Sequence, residues 1–179
     1  YKGKKLAVSP SFVMNRSANK NNQSLDDYFF NRKEGAKFVL KLFNEYGIHS
    51  PWIKYPDRFF NECAIRNKKA ISIDPEGNVY KCWEVIGNKK YAIGKLEDGK
   101  IIKPNHININ RQLYGGDTLD NKNCQNCSYL PICNGGCPLQ RIENEFENGN
   151  NDVCTCYKGY LPEFLGAHLK LKKLGYANQ

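Results

Sequence analysis

Residues 1–62 contain no cysteine, although the rest of the chain contains eight. Disulfide-stabilised scaffolds are typically short and secreted, and their cross-links run through the whole chain. The cysteine-free segment therefore argues against a disulfide scaffold. Histidine is also scarce, with three residues that are isolated in the sequence, so we expect structural roles for them. Cysteine sulfur is left as the main candidate for metal binding.

Long apolar runs are absent as well. No stretch approaches the ~20 apolar residues that cross a bilayer, so no membrane span is expected. The first residue is Tyr1 rather than Met, and residues 1–10 lack the apolar core of a secretion signal. We therefore expect a cytoplasmic protein of which this chain is one piece.

Acidic residues are outnumbered, and 27 Lys and Arg against 18 Asp and Glu give a net charge of +9. Such a balance can attract nucleic acid or an acidic partner. The basic residues are scattered in short groups, for example Lys68-Lys69 and Lys172-Lys173. This distribution is typical of a solvated surface, and nucleic-acid binding is not expected.

Half of the cysteines lie in one stretch, Cys124-Gln-Asn-Cys127-Ser-Tyr-Leu-Pro-Ile-Cys133-Asn-Gly-Gly-Cys137. Two thiolates separated by two residues can reach one metal centre, because the turn between them points both sulfurs inward. Gly135 and Gly136 let the backbone turn tightly past a metal cluster without β-carbon clashes. The other four cysteines are Cys63, Cys82, Cys154 and Cys156.

Eight sulfurs exceed what one tetrahedral ion uses. A structural zinc site of four cysteines takes two Cys-x2-Cys pairs, and this chain has only one such pair. Ligands gathered from separate segments suit two iron–sulfur clusters better than two zinc ions. The alternative is a zinc-stabilised, non-catalytic protein interaction module.

The first part of the chain is predicted to be largely helical. Apolar residues at near-helical spacing predict one helix over residues 25–46, with a candidate break at Gly35 and a C-terminal cap at Gly47. The flanking predictions are an extended segment at 6–14, a polar loop at 15–24, and a linker at 49–60 with a boundary near residue 55.

The cysteine-containing part is predicted to be a small antiparallel sheet. Asp-Pro-Glu-Gly-Asn at 74–78 predicts a β-hairpin with strands at 70–73 and 79–82, which places Cys82 on a strand. The further predictions are a strand pair at 91–93 and 100–102 and weaker helices at 105–114 and 138–146.

An amphipathic C-terminal helix is expected to begin near Pro162 and to be capped by Gly175. Its predicted apolar face consists of Tyr157, Leu161, Leu165, Leu169 and Leu174. The expected fold class is therefore α+β: a small antiparallel β-hairpin lobe with cysteine-ligated metal clusters, flanked by an N-terminal helical segment and this C-terminal helix.

The cysteine order resembles the SPASM domain, the C-terminal extension of radical S-adenosylmethionine enzymes that modify peptides and proteins. Such enzymes include anaerobic sulfatase maturases and thioether-forming peptide maturases. The matching pattern is Cys63, thirteen residues, Gly77-x4-Cys82, a gap, Cys124-x2-Cys127-x5-Cys133-x3-Cys137, a gap, and Cys154, and the resemblance covers roughly residues 57–160. Agreement at all these spacings is far more specific than a lone Cys-x2-Cys.

The resemblance implies two auxiliary [4Fe–4S] clusters with interleaved ligands. The first would be held by Cys63, Cys82 and Cys137, and the second by Cys124, Cys127, Cys133 and Cys154. Cys156 is the alternative to Cys154 as the last ligand. We choose Cys154 because Tyr157-Lys158 follows it at the family's spacing.

The first cluster would then have three cysteine ligands. Some maturases place a fourth ligand six residues before the Cys63 position, where this chain has Asp57. The resemblance thus implies either an open iron that binds substrate, or a fourth ligand from Asp57, Cys156 or a residue outside this chain.

Sulfatase maturases place an aspartate, thought to act as a base, directly after the cysteine of Gly-x4-Cys. This chain has Trp83 and then Glu84. The difference favours another peptide maturase and makes Glu84 a weak candidate for the catalytic base.

The Cys-x3-Cys-x2-Cys signature of the cluster that cleaves S-adenosylmethionine does not occur in the chain. The chain alone is therefore not expected to generate a radical, and S-adenosylmethionine would act only through a radical SAM barrel outside it. The resemblance implies that residues 1–55 are the tail of that barrel or a bridge, and that 56–179 are the SPASM domain with its C-terminal helix. The parent would be an oxygen-sensitive, oxidoreductase-type maturase of an anaerobe, acting on a peptide or protein. Zinc is an expected substitute in a chain prepared in air.

Overall fold

The computed structural model describes residues 31–58 and 63–175. Among these, residues 31–58 and 154–175 form one compact unit, here called the helical unit, and residues 63–153 form a second, the sheet unit. The extended segment predicted at 6–14, the loop at 15–24 and the helix start at 25–30 lie outside the described residues. The domain division predicted at residues 55 and 56 stays a prediction.

The first helix of the helical unit is α1, Arg32–Tyr46. Asn31 is its extended N-cap: the Asn31 side chain accepts the Glu34 N–H at 3.0 Å, and the Glu34 carboxylate accepts the Asn31 N–H at 2.8 Å. This reciprocal pair satisfies two N–H groups that a helix start leaves open. The predicted continuous helix over 25–46 is therefore wrong at residue 31, and the predicted break at Gly35 is wrong because Gly35 is buried inside the helix. The cap at Gly47 is confirmed, with φ of 66°.

The C-terminal helix of the helical unit is α6, Leu161–Lys173. It begins at the predicted place, with Pro162 in its first turn, and ends just before Gly175, which has φ of 80°. The predicted apolar face is wrong, since Leu169 is 58% and Leu174 is 64% exposed. Leucines in steps of four drift about 40° per step around a helix of 3.6 residues per turn. The face that packs into the core of the unit instead carries Phe164, Ala167 and Leu171, against Ala36, Val39, Leu40, Phe43 and Ile53.

The sheet unit contains an antiparallel sheet of four strands in the order β1-β2-β3-β4. The strands are β1 (Ser72–Ile73), β2 (Asn78–Tyr80), β3 (Gly94–Glu97) and β4 (Lys100–Ile102). The first hairpin is confirmed, with Ser72 opposite Tyr80 and Ile73 opposite Val79. The α+β class predicted from the sequence is confirmed.

Two strand predictions are wrong in detail. The strand predicted at 91–93 is displaced, because Lys89–Tyr91 forms a 3-10 turn and the strand begins at Gly94. Asn88 caps this turn, since its side chain accepts the Lys90 N–H at 3.2 Å, and the Tyr91 hydroxyl donates to Glu147 Oε2 at 2.7 Å. Cys82 does not lie on a strand, since β2 ends at Tyr80 and Cys82 opens the 3-10 turn Trp83–Val85.

Lys81 joins β2 to Cys82 and is only 3% exposed. Its ammonium donates to the carbonyl oxygens of Asn67 and Ala70, the second at 2.6 Å. Burial lowers the pKa of Lys81. The segment before β1 is thereby tied to the strand that leads to Cys82.

The helices of the sheet unit are α2 (His106–Tyr114), α3 (Lys122–Gln125), α4 (Leu130–Cys133) and α5 (Pro138–Phe146). The helices predicted at 105–114 and 138–146 are thus confirmed. Arg66 donates to the carbonyl oxygens of Gly115 at 2.6 Å and Gly116 at 3.3 Å, just past the end of α2. None of the helices in the described part of the chain has both the length and the apolar surface needed to cross a bilayer.

Candidate metal centre

The pair Cys124 and Cys127 is held by a short, capped helix. Asn121 caps α3, and its side chain accepts the N–H groups of Asn123 at 2.9 Å and Cys124 at 3.3 Å. The Cys127 N–H donates to the Cys124 carbonyl oxygen at 3.0 Å. The backbone between the two cysteines is therefore a tight turn, as a thiolate pair on one metal centre needs.

Cys133 and Cys137 are joined by a turn of three residues in the left-handed region. The φ angles of Asn134, Gly135 and Gly136 are 48°, 76° and 69°. A β-carbon on Gly135 would collide with Thr118 and the Arg141 guanidinium, and one on Gly136 with the Val153 carbonyl oxygen. The predicted need for glycine is explained by close packing against the protein itself, so the turn is rigidly placed between the two cysteines.

Three thiols of the sheet unit interact electrostatically: Cys63, Cys82 and Cys137. Cys82 is buried, 7% exposed, whereas Cys63 is exposed and Cys137 is half-buried at the start of α5. Burial raises the pKa of the Cys82 thiol, the backbone N–H of Glu84 lowers it, and the charges of Cys137, Cys63 and Glu84 raise it further. Because a bound metal ion stabilises the thiolate, metal would reverse this effect. The charge of Cys137 thus affects the pKa of the Cys82 thiol, although the two residues are far apart in sequence.

Two other thiols of the sheet unit lie near a half-buried cation. Burial and the charge of Arg66 lower the pKa of the Arg141 guanidinium, whereas Cys124, Asp117 and Cys133 raise it. Arg141 Nη1 also donates to the Gly135 carbonyl oxygen at 3.5 Å. The sequence reasoning missed Arg141, since no spacing distinguishes it from the other basic residues.

The remaining two cysteines lie in the helical unit and have different surroundings. Lys158 Nζ donates to Cys154 Sγ at 3.4 Å. Cys156 instead packs against the apolar core of the unit. Burial and then the charge of Cys156 raise the pKa of Tyr157 to about 12. Cys154 therefore has a cation as neighbour, and Cys156 lies at the edge of the apolar core.

The two acidic candidates are placed as follows. Asp57 is exposed in the helical unit, and its carboxylate accepts the Arg58 N–H at 2.7 Å. Glu84 lies in the 3-10 turn that follows Cys82, near enough for its charge to act on that thiol. The intervening Trp83 is 70% exposed.

Two of the histidines have aromatic neighbours within the helical unit. The rings of His49 and Phe43 have centroids 5.8 Å apart, and His168 meets the edge of Tyr55 at 5.6 Å. His106 begins α2 in the sheet unit.

The donor set fits an iron–sulfur cluster or zinc. All eight cysteines are free thiols. Thiolate sulfur selects zinc and iron–sulfur clusters, whereas magnesium and calcium prefer oxygen. Within residues 31–58 and 63–175, no three Cys, His, Asp or Glu side chains converge closely enough to hold one metal ion.

No protein-family model matches the chain. Three relatives are anaerobic sulfatase-maturating enzymes. The serine-type enzyme of Klebsiella aerogenes is 26% identical over 134 residues, which are 73% of this chain and 30% of the relative. The cysteine-type enzyme of Clostridium novyi is 28% identical over 90 residues, 49% of this chain and 24% of the relative. The serine-type enzyme of Klebsiella pneumoniae is 25% identical over 134 residues, 73% and 31% respectively.

These similarities confirm the predicted relationship to anaerobic sulfatase maturases. The matched part of the chain spans less than a third of each relative.

Proposed function

We propose that the chain is the C-terminal auxiliary-cluster domain of a radical S-adenosylmethionine enzyme that modifies a peptide or protein. The relatives are maturases, and the cysteine order has the spacing of the SPASM domain. The observation that carries the proposal is this cysteine spacing, together with the tight turn between Cys124 and Cys127 and the left-handed turn between Cys133 and Cys137.

The resemblance to the SPASM domain supports interleaved ligand sets. The first cluster is held by Cys63, Cys82 and Cys137, with Asp57, Cys156, an outside residue or substrate completing it. The second cluster is held by Cys124, Cys127, Cys133 and Cys154. When bound, such clusters supply electron transfer or a site for substrate.

The chain's own residues place and tune these ligands. The left-handed turn at 134–136 directs Cys133 and Cys137 to different clusters. Burial of Cys82 keeps water from that one ligand of the first set, and Arg141 sets a positive charge near the second. Cluster potentials respond to burial, neighbouring charge and hydrogen bonds to sulfur, so these contacts are the means of tuning.

The proposed substrate class rests on the relatives and on one sequence difference from the sulfatase maturases. The relatives are named for the maturation of sulfatases, which are proteins, and a peptide or protein substrate is proposed here. Trp83 and Glu84 replace the aspartate that the resemblance expects after Cys82, so the proposal does not extend to sulfatases. Glu84, two residues after Cys82, is proposed as a weak candidate for the base on substrate bound there. S-adenosylmethionine would be cleaved by the enzyme's own radical SAM barrel, in the cytoplasm of an anaerobe.

Anaerobic reconstitution of the full chain tests this proposal. We expect about eight irons and eight sulfides per chain and absorbance near 400 nm from sulfur-to-iron charge transfer. The variant Cys124→Ala/Cys127→Ala removes two ligands of one cluster and should keep about four irons. A folded wild-type chain that takes up no iron under these conditions overturns the proposal.

The alternative is a zinc-stabilised, non-catalytic interaction module, which the abundance of free thiols also permits. It predicts two zinc ions per chain, no visible absorbance and unfolding on chelation. Zinc bound after purification in air does not favour it, since lost clusters leave thiolates that capture zinc. Zinc retained in a chain purified without oxygen and supplied with iron and sulfide does favour it.

A further inference from the structure

Lys158 lies outside the proposed ligand sets, but its side chain contacts the proposed ligand Cys154. Its ammonium donates to Cys154 Sγ at 3.4 Å. Hydrogen bonds to sulfur are longer than those to oxygen because the sulfur atom is larger. The side chain of Lys158 is half-buried, so water screens the interaction less than at an exposed site.

The backbone that carries Lys158 is fixed within the helical unit. The Lys158 N–H donates to the Thr155 carbonyl oxygen at 3.1 Å, which closes a turn after Cys154. The Lys158 carbonyl oxygen accepts from Arg32 Nη1 of α1 at 2.6 Å. These bonds set where the lysine side chain begins.

Tyr157, the neighbour of Lys158, anchors the same turn. Its hydroxyl donates to the Trp52 carbonyl oxygen at 3.1 Å, and its ring meets the edge of the buried Phe164 ring at 5.0 Å. The turn is thereby docked on the apolar core, and Lys158 is directed back to Cys154 rather than to solvent.

We infer that Lys158 is a positioning residue for a cluster ligated by Cys154, which it orients and whose reduction potential it raises. The inference rests on the proposed function and adds a role for a residue outside the ligand set. One-electron reduction adds one negative charge to the cluster. A nearby ammonium stabilises the reduced form more than the oxidised form, which raises the reduction potential.

The test is a redox titration of the anaerobically reconstituted full chain, followed by electron paramagnetic resonance, with iron measured in parallel. Lys158→Met removes the charge and the hydrogen bond. Lys158→Gln keeps an N–H donor without the charge, and Lys158→Arg keeps both. Lys173→Met removes one charge from an exposed position of α6 and is the matched control.

In Lys158→Met we expect one of two cluster potentials to fall by at least about 59 mV, a tenfold change in the one-electron equilibrium. The other potential should stay unchanged. Lys158→Arg and Lys173→Met should keep both wild-type potentials, and Lys158→Gln should lie between Met and wild type. If Lys158→Met loses about four irons while Lys158→Arg keeps them, the affected cluster cannot be titrated in Lys158→Met. The potential measured in Lys158→Gln then decides the test.

Two results overturn the inference in different ways. A wild-type chain that binds no cluster overturns the proposed function and this inference together. A wild-type chain with both clusters, and equal potentials in Lys158→Met or Lys158→Gln and wild type, overturns the inference alone. The potential separates a role at the cluster from a merely structural one, because a structural residue changes iron retention without moving the potential of the cluster that remains.

Discussion

The carbonyl oxygen of Val153 occupies the place that a β-carbon on Gly136 would take. Both residues belong to the sheet unit, and Gly136 directly precedes the proposed ligand Cys137. The position of Cys137 is therefore set by backbone packing as well as by the left-handed turn. Substitutions of glycine by alanine can separate the effect of this packing on stability from the effect of the left-handed backbone.

Gly136→Ala is expected to lower the free energy of unfolding by about 2–5 kcal/mol, from left-handed strain and overpacking combined. Gly87→Ala is the matched control, since Gly87 has φ of 84° and nothing within 4 Å of its added β-carbon. It should lose only the strain, about 1–2 kcal/mol. Urea titration of the reconstituted chain measures both. Equal losses would show that the Val153 contact does not matter.

Arg66→Lys should destabilise the sheet unit by about 1–3 kcal/mol, because lysine cannot span the carbonyl groups that the guanidinium binds in the last turn of α2 and just past it. Those acceptors are Gln112 at 3.4 Å, Gly115 at 2.6 Å and Gly116 at 3.3 Å. The exposed Lys68→Ala is the control and should change the unfolding free energy by less than about 0.5 kcal/mol. A wild-type midpoint for Arg66→Lys in urea would contradict this role.

Asp74 is expected to make the free energy of unfolding depend on pH in the acidic range. Burial acts to raise the pKa of its carboxyl group, but hydrogen bonds from Asn78, Tyr80 and Glu76 outweigh it and lower the pKa. A lowered folded pKa means that the stabilisation is complete above the unfolded value of about 3.9 and is lost as pH falls through the folded value. Asp74→Asn should reduce the loss of unfolding free energy as the pH falls below about 4.

Tyr80→Phe refines this experiment. It removes one donor, the hydroxyl that lies 3.0 Å from Asp74 Oδ2. The pKa of Asp74 should then rise toward its ordinary value, so the acid transition of the variant should begin at higher pH than in wild type. An acid transition unchanged in both variants would show that Asp74 does not control it.

The interleaved ligand sets predict different outcomes for two double variants that each remove two thiols. Cys82→Ala/Cys137→Ala removes ligands of one proposed cluster and should leave about four irons per chain. Cys133→Ala/Cys137→Ala removes one ligand from each cluster and should leave well below four. Iron and sulfide analysis after anaerobic reconstitution measures both. The reverse order would mean that Cys133 and Cys137 share a cluster.

Local chemistry made much of the fold predictable. The hairpin at 74–78 follows from its turn residues, because the Asp74 side chain accepts the N–H groups of Glu76 and Asn78 at 3.0 Å and 2.8 Å. The cap at Gly47 follows from the ease with which glycine adopts a left-handed φ. The missed helix start at residue 31 also had a local signal, the Asn-x-x-Glu pair, but the apolar spacing across it masked that signal.

The remaining errors have tertiary causes. The Tyr91 hydroxyl binds the remote carboxylate of Glu147, and α6 buries Phe164 rather than the leucine series because α1 lies on that side. At the candidate site, sequence spacing identified the thiols and the glycine pair. It did not identify Arg141, whose contacts depend on where the chain returns in space.

The burial of Lys81 has a consequence for limited proteolysis. A trypsin-like protease must take the lysine side chain into its pocket, and Lys81 is 3% exposed with its ammonium bound to two carbonyl oxygens. Lys68 and Lys69, in the segment that Lys81 holds, are exposed. Brief digestion of the folded chain should therefore cut after these two lysines and spare the bond between Lys81 and Cys82. A fragment that begins after residue 69 should still contain Cys82, joined to β2 by an uncut backbone.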